Sequence, residues 1–291
     1  VLKGLQASPK YLQSKYFYDK KGDELFQEIM NCGEYYLTNC ELEIFAEQTS
    51  SLADIIIQQH TDFDVVELGA GDAIKSIYLL RELVNKKAIS TYFPVDISNH
   101  IIDLLNRKLP EQVPHLNIHG LNGEYLEMLR SAKKISDKIK LVLFLGSNIG
   151  NISLEDVPAF CRELRSQLSP GDMVLIGIDL KKNPAQILSA YNDSKGYTKQ
   201  FNLNLLQRIN TELDGDFDLS SFDHYATYDP QSGACKSYLV SLEEQQVHIG
   251  MNTEIFFRKD ETIFMEISQK YTIEQSDEIA VQSGFIAVAH F

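Results

Sequence analysis

Apolar residues between positions 65 and 178 fall into two alternating patterns. Short β-branched or continuous apolar runs at 65–68, 91–95, 116–119, 140–145 and 173–178 predict strands. The stretches between them carry apolar residues at helical spacing: 73–86, 98–109, one opening at Asn122-Gly123-Glu124-Tyr125 and one after Ser153. Ser98 is placed to cap its helix, and Ser153 with Asp156 three residues on comes close to a capping box. The near-continuous apolar run at 140–145 suits a central parallel strand buried on both faces. This strand–helix alternation predicts a mostly parallel, doubly wound α/β sheet. Ahead of it, 23–30 and 40–58 read as helices, separated by the aromatic loops Lys15-Tyr16-Phe17-Tyr18-Asp19 and Asn31 to Asn39. Beyond 179 the alternation breaks. Helices at 184–193 and 198–213 precede an acidic loop at 214–221 and strand-like runs at 238–242, 247–249, 253–257 and 262–267, then a helix at 273–283 and a last strand at 285–289. The expected organisation is a sheet domain from 61–183 with 263–291, and a second α+β lobe from 1–60 with 184–262.

Composition narrows the classes. A chain of 291 residues that is 44% hydrophobic and 23% charged can bury a sizeable core, as one large domain or two. A net charge of −14 repels phosphate backbones, which argues against nucleic acid. The acids are spread along the chain and no apolar stripe stands out, so the surface points to a monomer. Cys32, Cys40, Cys161 and Cys235 form no Cys-x-x-Cys pair, so neither a zinc site nor a disulfide framework is suggested; no metal is expected, and a reducing cytoplasm fits. The longest apolar run, 141–145, is too short to span a bilayer, and the first residues do not resemble a secretory signal.

The stretch Val65-Val66-Glu67-Leu68-Gly69-Ala70-Gly71-Asp72-Ala73-Ile74-Lys75-Ser76 reads as a strand end, a tight turn and a helix start. Its Glu-x-Gly-x-Gly core resembles the first motif of class I S-adenosylmethionine (SAM) methyltransferases. A dinucleotide site needs a third glycine where Ile74 stands and an acid earlier than Asp96, so the pyrophosphate fingerprint is missing. A strand–turn–helix that binds nothing remains the plain alternative. In a doubly wound sheet, ligands sit at the carboxyl ends of the strands. Those ends supply Gly69, Gly71, Asp96, Glu124 and the loop 146–151. Asp96 can accept both ribose hydroxyls of SAM. Glu124 and Tyr125 fall where adenine would sit, and Asp72 and Lys75 flank the methionine end.

Further segments are similar, in this order, to those of the histidine-specific SAM methyltransferases: Lys15 to Asp19, Glu34-Tyr35-Tyr36-Leu37-Thr38, Phe144 to Asn151, Phe201 to Leu206 and Glu266-Ile267-Ser268-Gln269-Lys270-Tyr271. That family includes the ergothioneine-pathway L-histidine Nα-methyltransferase, which makes hercynine. The resemblance implies the class I, Rossmann-like fold, with SAM held by Tyr18, Gly69, Lys75, Asp96, Glu124 and Tyr125. The family usually has Asp-Phe where this chain has Glu124-Tyr125. It also implies that Tyr35, Gly146, Asn151 and Tyr191 hold the amino and carboxyl groups of histidine, and that Glu266 and Ser268 read the imidazole. The last pair makes independent sense, because residues two apart on a strand share a face. A carboxylate can accept one ring N–H while a hydroxyl serves the other nitrogen. Ser237 stands where the family commonly has methionine near the imidazole, which leaves the side-chain identity of the substrate open.

The implied reaction moves the sulfonium methyl onto an amine lone pair by in-line displacement, leaving S-adenosylhomocysteine. The amine must be neutral, and no side chain is marked by sequence as its dedicated base. Tyr35 can orient the nitrogen and Asn151 can fix its direction. Two other readings stay open: an N-methyltransferase of another amino acid or small amine, and a SAM-binding protein without turnover.

Overall fold

The computed structural model describes residues 1–291, which divide into two compact units, Val1–Tyr36 with Lys181–Lys270 and Leu37–Leu180 with Tyr271–Phe291. The chain begins in the first with α1 (Leu2–Leu5), the two-residue β1 (Lys10–Tyr11) and α2 (Lys20–Met30). Asp19 caps α2 by accepting from Gly22 N at 2.7 Å. The second unit then runs α3 (Tyr36–Glu47), α4 (Thr49–Gln59), β2 (Phe63–Leu68), α5 (Ser76–Asn85), β3 (Ile89–Asp96), α6 (Asn99–Gln112), β4 (Asn117–Ile118), β5 (Leu121–Asn122), α7 (Tyr125–Ile135), β6 (Ile139–Phe144), α8 (Val157–Gln167) and β7 (Met173–Ile176). The first unit resumes with α9 (Pro184–Ala190), α10 (Tyr197–Leu213), β8 (Phe222–Asp229), β9 (Ala234–Ser241), β10 (Gln245–Ile249), β11 (Thr253–Phe257) and β12 (Thr262–Gln269), and α11 (Ile273–Gln282) returns to the second.

The second unit is organised on a parallel sheet in the order β4-β3-β2-β6-β7, with β5 also paired to β3. Successive residues of β2 serve opposite faces. Phe63 and Val65 join a layer with α4, α5 and α6, whereas Val66 and Leu68 join one with α7 and α8. The strand order reverses between β2 and β6, which makes their carboxyl ends the switch point of a doubly wound sheet. Ser98 caps α6 as expected, accepting from Ile101 N.

The first unit holds a sheet in the order β1-β12-β9-β8, antiparallel except for the β1–β12 pair, and the hairpin β10–β11. Phe222, Leu239, Ile263 and Met265 from this sheet bury against Leu25 and Ile29 of α2 and Phe201, Leu205 and Ile209 of α10.

Several boundaries differ from the expected ones. Residues 37–60 belong with the parallel sheet, because Phe45, Leu52, Ala53 and Ile56 pack into its core layer. They also form two helices rather than one, broken at Gln48. Strand β12 is not part of the parallel sheet; it hydrogen-bonds to β9 and β1. Residues 285–289 form no strand: Phe285 packs on the α8 layer while Ile286 and Val288 stay 88% and 63% exposed. The strand expected at 116–119 shrinks to the two residues of β4, and a further two-residue strand, β5, follows His119-Gly120. Strand β8 escapes a hydrophobic reading because Asp223, His224, Tyr225, Thr227 and Tyr228 fill most of it.

The parallel sheet carries a buried ion pair. Asp64 on β2 lies beside Lys140 on β6 in register, with Lys140 Nζ 3.1 Å from Asp64 Oδ2 and both side chains out of solvent. Lys140 also donates to the carbonyls of Ser136 and Lys138 at 2.9 and 2.5 Å. Removing one partner leaves an uncompensated buried charge. Lys140→Met is expected to cost about 3–5 kcal/mol of unfolding free energy in urea, and adding Asp64→Asn to recover most of it. A single variant within about 1 kcal/mol of the parent would show the pair to be dispensable.

Candidate active site

In the second unit, β2 ends in a turn that only a glycine-rich segment can make. Gly69 has φ +75°, and a Cβ there would stand 2.7 Å from Asn148 Nδ2. The N–H groups of Gly69 and Ala70 both donate to Val95 O, at 2.8 and 3.0 Å, tying the turn to β3. Asp96, the last residue of β3, accepts from Gly71 N at 3.1 Å and from Ser98 N at 2.9 Å. Burial nonetheless holds its carboxyl above the ordinary aspartate range. Asn122 donates to the Asp96 carbonyl at 3.0 Å, drawing β5 into the same end. Glu124 is the N-cap residue of α7. Tyr125 follows it, with its ring edge-on to Phe144 at 5.4 Å and its phenol pushed up by burial. Gly69, Gly71, Asp96 and Tyr125 therefore converge at the carboxyl edge of the sheet.

Glu67 of the same motif does not face outward. It is 3% exposed, accepts from Tyr92 Oη at 2.6 Å, and burial pushes its carboxyl up to about 7. Lys75 pairs with Glu41 of α3. The Glu41 carboxylate also accepts from Gly146 N, at 2.9 and 3.0 Å to its two oxygens. Gly146 and Ser147 both take left-handed φ values, +68° and +57°, and swing the chain from β6 into the 3-10 turn Asn148–Asn151. Asn151 is exposed at its end.

In the first unit, the core face of the sheet changes from apolar to polar along β12. Ile263 lies opposite Leu239, but a bulge follows at Met265, and Glu266 then lies opposite Ser237. The extra residue returns Glu266 to the face that Ile263 and Leu239 share, where strict alternation would have turned it away. Ser268, opposite Cys235, continues that face. Tyr191, at the C-terminus of α9, brings its hydroxyl to 2.5 Å from Ser268 Oγ. Lys270 is fully buried and its Nζ donates to Tyr191 Oη at 2.6 Å and Ser268 Oγ at 2.8 Å. Burial raises the Glu266 carboxyl to about 7, against the pull of the Lys270 charge.

Ser237 is buried, with Oγ 3.2 Å from His224 Nε2, and desolvation pushes His224 down to about 4. The Tyr35 ring meets Tyr191 edge-on at 6.0 Å. Its neighbour Glu34 accepts from Ser194 N, Ser194 Oγ and Cys32 Sγ, at 3.1, 2.6 and 2.8 Å, which ties down the loop that presents Tyr35. Those donors, Cys32 first, lower the Glu34 carboxyl to about 2. Tyr18 stacks edge-on with Phe26 and Phe201, each at 5.8 Å.

The sequence-derived residues thus fall into two sets. Tyr18, Tyr35, Tyr191, Ser237, Glu266 and Ser268 lie in the first unit, and Gly69, Gly71, Lys75, Asp96, Glu124, Tyr125, Gly146 and Asn151 in the second. Three residues that touch these sets, Lys270, Glu41 and His224, are given no role by the sequence. Lys270 could have been found from the two-residue period that links Glu266 and Ser268. Glu41 sits inside a helix with no motif, and His224 in a strand too polar to be seen.

A profile of the histidine-specific, SAM-dependent methyltransferases matches residues 1–291. The chain belongs to that family. Its parallel sheet is accordingly the Rossmann-like sheet of a class I SAM methyltransferase. The histidine N-alpha-methyltransferase of Mycolicibacterium smegmatis is 32% identical over 275 residues, 94% of this chain and 84% of that protein. The protein of the same name from Mycobacterium tuberculosis is 32% identical over 93% of this chain and 83% of its own length. An L-tryptophan methyltransferase of Psilocybe serbica is 25% identical over 98% of this chain and 86% of its own length.

Glu41 supports two of the family's segments at once, through Lys75 and Gly146. Glu41→Ala is expected to lower unfolding free energy by about 1–3 kcal/mol and to weaken S-adenosylhomocysteine binding, with Glu41→Gln intermediate. Urea denaturation and calorimetric titration check the pair; full stability and affinity in Glu41→Ala would discard the role.

Proposed function

We propose that this chain transfers methyl groups from SAM to the α-amine of L-histidine, three in succession, giving hercynine. The observation that carries the reading is the polar end of the β12 face, where Glu266 and Ser268 stand together in a family specific for histidine. An imidazole can satisfy both groups, and a ring without nitrogen leaves them unpaired, a costly outcome for the wrong substrate. The reading includes a small-molecule amino-acid substrate, a monomeric state and a cytoplasmic location. No helix is long and apolar enough to cross a membrane.

The second unit fits SAM. The Gly69 turn has no room for a side chain, and Asp96 keeps lone pairs beyond those used by Gly71 and Ser98, which suit the ribose hydroxyls. In this reading Glu124 and Tyr125 border the adenine, Gly69, Gly71 and Lys75 the methionine part, and Tyr18 completes the cofactor set. When bound, SAM supplies a methyl group activated by its sulfonium. The protein's own work is to position and desolvate. Tyr35 and Asn151 orient the amine, which arrives neutral after losing its proton to water. Gly146 and Tyr191 hold the amino-acid end. Aromatic rings such as Tyr18 and Tyr35 tolerate the cationic trimethylated nitrogen by cation–π contact.

Ser237 with His224 supports a second reading, methylation of another amino acid, because this wall is more polar than a methionine would make it. A reaction with L-histidine and SAM, followed by mass spectrometry, separates the two. Mass gains of one, two and three methyl groups are expected; S-adenosylhomocysteine binding without histidine turnover would move the assignment to the second reading.

The Glu266 carboxyl gives a pH signature. As a carboxylate it is the stronger acceptor for a ring N–H, so histidine affinity with S-adenosylhomocysteine present should rise with pH through about 7. Glu266→Gln should flatten that rise in calorimetric titrations between about pH 6 and 8. An unchanged pH dependence in the variant would remove Glu266 from ring recognition.

A further inference from the structure

We propose that Lys270 is a positioning residue that sets the direction of the Tyr191 and Ser268 hydroxyls, so that the site takes the substrate ring as a neutral imidazole of one tautomer. This rests on the histidine reading above and adds to it a residue that the motif comparison did not assign.

An ammonium group has three protons to donate and no lone pair to accept with. Lys270 Nζ lies 2.6 Å from Tyr191 Oη and 2.8 Å from Ser268 Oγ, so both oxygens act as acceptors toward it. The two hydroxyls are 2.5 Å apart, and one of them must donate to the other. Of their two protons, one is therefore spent inside the triad and one is given onward. The phenol is the more acidic hydroxyl and makes the internal bond, so Ser268 Oγ accepts from both Lys270 and Tyr191, its lone pairs are filled, and its own proton is the one offered to the ring. Glu266 stands two residues before Ser268 on the same strand face and, when ionised, can only accept. A donor and an acceptor on one face match a ring that offers one lone pair and one N–H. A doubly protonated imidazolium would turn an N–H toward a donor.

The lysine is held so that it cannot relax this arrangement. Its backbone N–H donates to Gly233 O at 2.8 Å, and its carbonyl accepts from Gln269 Nε2 at 2.9 Å. Nζ also lies 4.6 Å from the centroid of the Tyr191 ring, which favours one ring orientation. A fully buried lysine is rare unless it is bonded to something that needs it. The other titratable groups on this face are Glu266 on β12, Cys235 on β9, and His224 and Tyr228 on β8, and His224 is held neutral by desolvation. Lys270 is the cation whose bonds to these hydroxyls fix their polarity.

The test compares the parent with Lys270→Met, which keeps the length of the stem and removes the donor. Calorimetry with S-adenosylhomocysteine present is run with L-histidine and with β-(2-thienyl)-L-alanine, a ring of similar size that has neither N–H nor ring nitrogen. The expected result is a loss of histidine affinity of about tenfold or more, a similar fall in discrimination against the thienyl analogue, and unchanged S-adenosylhomocysteine affinity. Equal losses for both amino acids and for S-adenosylhomocysteine would mark Lys270 as a packing residue and overturn the proposal, as would unchanged discrimination. A second measurement uses the parent alone, in case the variant does not fold. Histidine labelled with 15N in the ring is bound to the protein with S-adenosylhomocysteine, and its ring nitrogens are followed from about pH 8, where Glu266 is ionised, down to about pH 6, where the free side chain is mostly protonated. One protonated and one lone-pair nitrogen are expected, and two protonated nitrogens would overturn the inference. Failure of the parent to bind histidine would sink the histidine reading and this proposal together, whereas normal parent binding with an indifferent Lys270→Met would sink the role of Lys270 alone.

Discussion

Strand β2 is hydrogen-bonded along both edges, to β3 and to β6, and covered by apolar layers on both faces. A strand so enclosed meets water and ligands only at its ends. That constraint places the chemistry of the Rossmann-like unit. At the carboxyl end the chain must leave by a turn in which Gly69 takes a left-handed conformation, and β3 delivers Asp96 beside it. The same enclosure explains why ionisable groups inside the sheet are handled in different ways. Asp64 and Lys140 neutralise each other across neighbouring strands, whereas Glu67, hydrogen-bonded to Tyr92, is pushed toward its neutral form.

The first unit solves a different problem, how to place a polar reader at the end of an apolar sheet face. The bulge at Met265 lets Met265 stay in the core while Glu266 still comes to the face shared with Ser237. Two of the polar side chains there have bonded neighbours: Ser268 with Tyr191 and Lys270, Ser237 with His224. Selectivity in such a site comes from what a wrong ring would leave unpaired rather than from tight apolar packing.

The parallel sheet was legible in the sequence because short continuous apolar runs, a glycine turn and helix caps agreed with one another from 65 to 176. Gly69, Asp96 and Glu124 followed from that agreement, since strand ends are fixed once the strands are, whereas Tyr18 rested on the family resemblance alone. The first unit was harder to read. Strand β8 is mostly polar on paper, and β12 looked like the last part of the parallel sheet because nothing local says which edge a strand will join. The segment 285–289 shows the converse, a continuous apolar run that forms no strand. Glu41 and Lys270 carry contacts that depend on tertiary placement, Glu41 reaching Gly146 across 105 positions of sequence.

The interleaving of the two units bears on how the protein is made. The strand β1 emerges early from the ribosome, yet its only partner is β12, and the Lys10–Glu261 ion pair that joins their neighbourhood spans 251 positions. The strands of the parallel sheet are all present once β7 has been synthesised, with the N-terminal segment still waiting. Until β12 appears, Leu5, Leu12, Phe17, Leu25 and Ile29 lack much of the core that later buries them. The nascent chain therefore carries an apolar N-terminal arm through most of translation, a natural client for holding chaperones and the segment most exposed to mispairing when synthesis outpaces folding.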